Sequence, residues 1–178
     1  MTQTLVTDLE HLVESLANGG KSESPVSLAA LAARIALELA VQNDEVAILS
    51  VSMRWRSLQF LVPEKLSHMG SIPLSNPTSL AARTARESRP EIVNDFTSMR
   101  HASVFEVVPL AGRETAEVIQ KIVSAPILSG KKVVGVMQVC RKGRTKKTAG
   151  PDFTAGDLGK ILAVCSPLGK LLHHYSPE

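Results

Sequence analysis

The sequence predicts an α+β fold, in which an antiparallel sheet packs against helices drawn from the two ends of the chain. Short apolar runs rich in branched residues occur in pairs, which is typical of antiparallel strands. The longest runs with helical spacing of apolar residues lie near the two ends. The segment from Lys132 to Cys140 is apolar almost throughout, which predicts a strand buried on both faces. Together these patterns indicate the α+β class.

The N-terminal part of the chain predicts two helices. Apolar residues at helical spacing mark an amphipathic helix from Thr4 to Ala17, which ends at the turn Asn18-Gly19-Gly20. Ser24-Pro25 then provides a cap and a favourable first residue for an Ala-rich helix. We therefore divide the chain into an N-terminal amphipathic helix with its linker, residues 1–23, and a domain, residues 24–178.

The middle of the chain alternates between strand and helix signals. Val46 to Met53 and Leu58 to Val62 predict a pair of strands, whose connection exposes Trp55. Asn76-Pro77 repeats the cap-plus-proline signal and opens a third helix. A brief strand, Glu91 to Val93, follows this helix.

The segment from Phe96 to Glu117 has no clean period, and a connection of this length is usually functional or mobile. We expect it to cover one face of the sheet. Arginine and histidine side chains there could pair with a carboxylate or a phosphate of a ligand. The candidate ligand-binding residues of this segment are Arg100, His101, Phe105 and Arg113.

A second hairpin supplies the central strand. Lys121 to Leu128 and Lys132 to Cys140 are its two strands, and Ser129-Gly130 suits the tight turn because glycine tolerates positive φ. Gln138 lies on the apolar second strand. A buried amide needs hydrogen-bond partners, which either a ligand or the protein itself could provide, so Gln138 is the fifth candidate.

The C-terminal segment predicts a capped helix. Thr154 and Asp157 form a capping box at its start, because each side chain can accept from the other residue's backbone N–H. Pro167 lies within the apolar stripe that follows. An interior proline removes a backbone hydrogen bond, so we expect a kink or break beside Ser166.

Composition excludes several functional classes. The chain has 178 residues, a net charge of +3 and few aromatic residues, so a stacking platform for single-stranded nucleic acid is not expected. No signal peptide or long apolar segment is apparent, which predicts a cytoplasmic protein that does not enter a membrane. Neither the two cysteines nor the scattered histidines have metal-ligand spacing, so no metal site is predicted. The basic run is interpreted as a solvated loop and comprises Arg141, Lys142, Arg144, Lys146 and Lys147.

Three stretches resemble a GAF domain. They are SLAARTARESRPEIVND (residues 79–95), APILSGKKVVGVMQV (125–139) and FTAGDLGKILAVCSPLGKLL (153–172). Their order and spacing suit the family over residues 24–172. The resemblance implies a central antiparallel sheet, terminal helices on one face, and a pocket between the other face and the connecting segment.

The resemblance also implies three functional hypotheses. The first is a non-catalytic sensor domain in signal transduction that binds a small molecule, with anionic ligands among the candidates, and dimerises through its terminal helices. The second is a structural dimerisation module whose pocket is filled. The third is a free methionine sulfoxide reductase that uses a thiol, with Cys140 as the residue to test, although a thiol on a buried strand is expected to be inert. The ligand, any cofactor and the output partner are unknown from the sequence.

Overall fold

The computed structural model describes residues 2–17, 28–99 and 117–175. Within these ranges the chain forms one six-stranded antiparallel sheet flanked by helices, which confirms the predicted α+β class. No helix in the described ranges is both long and apolar enough to cross a membrane. The helices are α1 (Thr2–Ala17), α2 (Leu28–Glu38), α3 (Glu64–Ser67), α4 (Leu80–Glu87) and α5 (Ala155–Tyr175). The strands are β1 (Val46–Ser52), β2 (Ser57–Val62), β3 (Ser71–Pro73), β4 (Glu91–Val93), β5 (Ile119–Ser129) and β6 (Lys132–Lys142).

Strand β6 is central, as its apolar sequence predicts. The strand order is β3-β2-β1-β6-β5-β4, so β6 pairs with β1 on one side and β5 on the other. The side chains of Val136, Met137 and Val139 are completely buried, although neighbouring residues of a strand point to opposite faces. Both faces of this strand are therefore covered by protein.

The first face of the sheet carries the helices from the two ends of the chain. Met137 and Val139 of β6 belong to one apolar cluster with residues of α1, α2 and α5. Within it Leu5 and Leu9 of α1 are 4% and 2% exposed. The amphipathic stripe of α1 thus packs on the chain's own core, mainly against α5. This docking stabilises a helix that would be marginal in isolation.

The second face carries α4. Val136 and Cys140 of β6 belong to a separate apolar cluster, which includes Leu80 of α4. Phe96 and Ile119, which lie near the two ends of the connecting segment, belong to the same cluster. The described residues on either side of the segment therefore lie on this face.

Helix α5 begins at the predicted capping box and has no break at its proline. The predicted capping box is present, since Thr154 N–H donates to Asp157 at 2.9 Å and Asp157 N–H donates to Thr154 Oγ1 at 3.2 Å. The helix then continues through Pro167 without a break at Ser166. Pro167 is itself buried and Leu168 is 0% exposed, so packing on the sheet sustains the helix despite the lost hydrogen bond.

The basic run is only partly the solvated loop that the sequence predicts. Arg141 and Lys142 are the last residues of β6 and are 6% and 2% exposed. The guanidinium of Arg141 donates to the carbonyl oxygens of Leu39 and Ala40, beyond the end of α2, at 3.0 and 2.9 Å. It also lies 4.7 Å from the centre of the Phe153 ring. Arg141 therefore links the end of β6 to the residues that follow α2 and to the residue Phe153 that precedes α5.

The remainder of the basic run matches the prediction. Arg144, Lys146 and Lys147 are exposed. Lys146 Nζ lies 2.6 Å from Asp95 Oδ1, and this hydrogen bond lowers the pKa of the Asp95 carboxyl. Since both partners are about half exposed, the pair adds little to the stability of the fold.

Candidate functional site

A polar row crosses the second face of the sheet. The strand register places Ser124 of β5 opposite Gln138 of β6, with Glu91 of β4 on one side and Ala47 of β1 on the other. Gln138 and Ser124 are 5% and 0% exposed, and the flanking residues on this face are mostly apolar. The row therefore places hydrogen-bonding groups on an otherwise apolar floor, which is a common composition of small-molecule sites.

The side chains of this row form a directed chain of hydrogen bonds. Thr84 of α4 donates its hydroxyl proton to the carbonyl oxygen of Leu80 at 2.9 Å. Its Oγ1 lies 2.7 Å from Ser124 Oγ, so Ser124 is the donor in that contact, because each hydroxyl has one proton. Gln138 Nε2 in turn donates to Ser124 Oγ at 3.2 Å. The chain runs from Gln138 through two hydroxyls to the backbone of α4.

This arrangement uses only one of the four hydrogen bonds that the Gln138 amide can make. An amide can donate two hydrogen bonds and accept two. Within the described ranges, the side chain makes a single hydrogen bond, from Nε2 to Ser124. No described residue binds its carbonyl oxygen or its second N–H, and the neighbouring Ala47 is small. A buried polar group with spare capacity calls for another partner, such as a ligand or water.

An ion pair lies at the end of the polar row nearest α4. Arg83 Nη2 donates to both carboxylate oxygens of Glu91 at 2.9 Å. Both side chains are about one-third exposed, so the pair lies at the edge of the face. It orients α4 against β4, because the two groups belong to those elements.

Only one of the five sequence-predicted ligand-binding residues lies within the described structure. Gln138 lies in the polar row between Ser124 and Ala47 and makes the structural hydrogen bond that the sequence allowed for. Arg100, His101, Phe105 and Arg113 lie outside the described residues. Sequence reasoning missed Thr84 and Ser124, because their contact depends on the docking of α4 over β5.

The two cysteines lie on opposite faces of the sheet. Both are buried; Cys140 belongs to the second-face cluster, two residues after Gln138, whereas Cys165 of α5 belongs to the first-face cluster. Burial raises the pKa of the Cys165 thiol to about 12, so this residue is a poor thiolate. The sheet also separates the two thiols. Within the described ranges no cluster of His, Cys, Asp or Glu could hold a metal ion.

Comparison with known proteins identifies the fold. No protein-family model matches the chain, and no curated protein matches it by sequence. The GAF domain of a phosphoenolpyruvate-protein phosphotransferase from Acinetobacter superposes with a TM-score of 0.67 at 17% identity, covering 98% of this chain and 93% of that one. The corresponding domain from Coxiella burnetii gives a TM-score of 0.66 at 9% identity, covering 97% and 93%. The chain has the fold of a GAF domain.

An enzyme is also similar to this chain in its fold. A type II free methionine-R-sulfoxide reductase from Thermoplasma acidophilum has a TM-score of 0.61 at 15% identity, covering 94% of this chain and 96% of that one. Similarity in fold to this chain is thus found both in a GAF domain of a phosphotransferase and in a reductase. Function has to be inferred from the residues of the site.

Proposed function

We propose that this GAF domain is a non-catalytic regulatory module that binds a small molecule on the face of the sheet that carries Gln138. The observation that supports the proposal most strongly is the hydrogen-bonding capacity that the described residues leave unused on the amide of Gln138, a residue that is 5% exposed on an apolar floor. A ligand lying over Ala47 would complete these bonds. Anionic ligands stay among the candidates, because Arg100, His101 and Arg113 belong to the connecting segment.

The chain of hydrogen bonds offers a route from the ligand to a helix. A ligand that polarises the Gln138 amide acts on Ser124, and through it on Thr84 of α4. Occupancy would then change how firmly α4 is held. The terminal helices on the opposite face of the same strand would transmit the signal to an output partner.

A thermal-shift screen tests ligand binding. The panel comprises nucleotides, cyclic nucleotides, nucleobases, amino acids, methionine sulfoxide and small carboxylic acids. A ligand present at about 100 times its Kd should raise the Tm by about 5–10 °C, because it stabilises only the folded state. Gln138→Leu should reduce the shift to near zero relative to its own unliganded Tm, whereas Gln59→Leu, at an exposed position of β2, should retain it.

Two results would contradict the proposal. If no compound in the panel stabilises the wild-type chain, the second hypothesis applies, and the domain is a structural module with a filled pocket. If methionine sulfoxide is turned over in the presence of a thiol reductant and Cys140→Ser abolishes turnover, the chain is a reductase. The burial of Cys165 on the far side of the sheet argues against that outcome, because a resolving thiol has to reach its partner.

We also propose that the domain forms a homodimer through its terminal helices. Leu37 of α2 is 73% exposed beside a groove of about 150 Å³ between α1 and α2. An exposed leucine beside a partly apolar groove favours association with a matching surface. The groove is lined by Thr4, Leu5, Arg34, Leu37 and Glu38.

Sedimentation velocity tests this interface. The wild-type chain should sediment as a dimer at micromolar concentration, and Leu37→Glu should sediment as a monomer because it buries a charge at the interface. Met69→Glu, at another exposed apolar position outside these helices, serves as the control and should stay dimeric. A wild-type monomer, or a Leu37→Glu dimer, would refute the interface.

The cytoplasmic location and the absence of nucleic-acid partners stay predictions of the sequence, to be checked by cell fractionation and by gel-shift assay.

A further inference from the structure

The connection between β1 and β2 presents an unusual surface. Residues 53–56, which we call the hairpin tip, read Met-Arg-Trp-Arg, and all four are exposed. Trp55 is the sole tryptophan of the chain and is 67% exposed, while Met53 is 56% exposed. Tryptophan usually buries most of its large apolar surface, so its position at a projecting turn points to a contact with another molecule.

The hairpin tip is ordered by hydrogen bonds. Trp55 N–H donates to Ser52 Oγ at 3.3 Å, and Leu74 N–H donates to the carbonyl oxygen of Arg56 at 2.8 Å. The guanidinium carbon of Arg54 lies 5.1 Å from the centre of the Trp55 ring, within the range of a cation–π contact. The aromatic ring and the charge beside it are therefore pre-organised, which lowers the entropic cost of binding.

A third arginine joins the tip from α4. The guanidinium of Arg86 donates to the carbonyl oxygens of Leu74 and Asn76. The N–H of the same Leu74 donates to the carbonyl oxygen of Arg56, so Leu74 links Arg86 to the hairpin tip. No described acidic residue pairs with Arg54, Arg56 or Arg86. Three other arginines of the described structure do pair with acids, in Arg34–Asp8, Arg83–Glu91 and Arg89–Glu87.

We propose that the hairpin tip and Arg86 form a docking surface for an acidic segment of a partner protein. These guanidinium groups, which no described acid neutralises, match carboxylates, to which arginine binds in a bidentate geometry. Trp55 and Met53 offer apolar area to the aliphatic side chains between those carboxylates, and the indole N–H, which no described residue accepts, is a further donor. Tryptophan and arginine are the residue types most enriched at binding hot spots. This surface is separate from the polar row around Gln138 and does not depend on the ligand proposed there.

The single tryptophan makes the test direct. The probe is a short peptide without aromatic residues in which Asp and Glu alternate with Leu, and the control peptide has Lys in place of each acid. On addition of the acidic peptide to the full chain we expect a blue shift of the Trp55 emission, with a Kd of about 10–100 μM. The Kd should rise with salt, because exposed charges are screened.

Variants assign the binding to this surface. With a fluorescein-labelled acidic peptide, Trp55→Ala and the double variant Arg54→Ala/Arg56→Ala should each weaken binding at least about tenfold. Met69→Ala and Arg144→Ala, at exposed positions elsewhere, should leave the Kd unchanged. The far-UV circular dichroism of every variant should match the wild type, because the tip lies outside both apolar clusters.

Three results would overturn the proposal. They are no emission shift with the acidic peptide, an equal shift with the Lys peptide, and an undiminished affinity of the Trp55→Ala variant. A shift that occurs with vesicles of phosphatidylcholine and phosphatidylserine but not with the peptide would identify a membrane surface instead of a protein partner, and would also overturn it.

Discussion

Replacing Gly169 with alanine is expected to destabilise the chain by about 3 kcal/mol or more, because there is no room for a Cβ atom at this position. Gly169 lies where α5 crosses β5, and an added Cβ would overlap the carbonyl oxygen of Leu128. The obstacle is backbone, so it cannot be relieved by a rotamer change. Helix α5 would have to move away from the sheet, and the packing of Leu168 and Leu172 would be lost.

Gly159 provides a matched control on the same helix. It is exposed, and an added Cβ would have no neighbour within 4 Å. Gly159→Ala should therefore stabilise the chain by up to about 1 kcal/mol through helix propensity. Urea unfolding followed by circular dichroism measures both variants. Equal stability of the two alanine variants would contradict the close packing of α5 on β5.

Replacing Arg141 with methionine is expected to cost about 3 kcal/mol, the second large effect. Methionine keeps most of the apolar stem but removes the donors to the carbonyl oxygens of Leu39 and Ala40, which no longer have a partner. The contact with the Phe153 ring is lost as well. The guanidinium is costly to bury and its Nε has no hydrogen-bond partner, but Nη1 and Nη2 make two well-formed hydrogen bonds, so we expect the loss of these bonds to dominate.

Two further variants make this result specific. Arg141→Lys should recover less than half of the loss, because a single ammonium cannot reproduce the fork that binds both carbonyl oxygens. Arg144→Met, at an exposed position of the same basic run, should change the free energy of unfolding by less than about 0.5 kcal/mol. Equal effects at positions 141 and 144 would mean that the run is a uniformly solvated loop after all.

The architecture was predictable where periodicity and capping chemistry agree. The apolar run around Val136 to Val139 identified the central strand, because a strand with one solvated face would alternate. The Thr154–Asp157 box located the start of α5. These signals are local, so one sequence suffices to read them.

What the sequence could not provide depends on contacts between distant elements. Arg141 was assigned to a solvated loop because nothing near it in sequence indicates that the carbonyl oxygens beyond α2 lie within its reach. The continuation of α5 through Pro167 depends on packing against the sheet, which outweighs the local cost of the proline. The short elements α3 and β3 carry too few residues for a periodic signal.

Only part of the candidate site was predictable, because most of its contacts join elements that are distant in sequence. Gln138 stood out as a polar residue within an apolar strand, but its link to Ser124 follows from strand register. The further step to Thr84 follows from the docking of α4. The four other candidates lie on the connecting segment, outside the described residues, and stay predictions.

The proposed function depends on whether the amide of Gln138 binds a small molecule on the second face of the sheet. The most direct measurement is a crystal structure of the chain purified from its native host without exchange of bound compounds. We expect electron density for a non-protein molecule within hydrogen-bonding distance of the Gln138 side chain and in contact with Ala47. Protein side chains packed into that space, with the remaining capacity of the amide satisfied by protein groups, would contradict it.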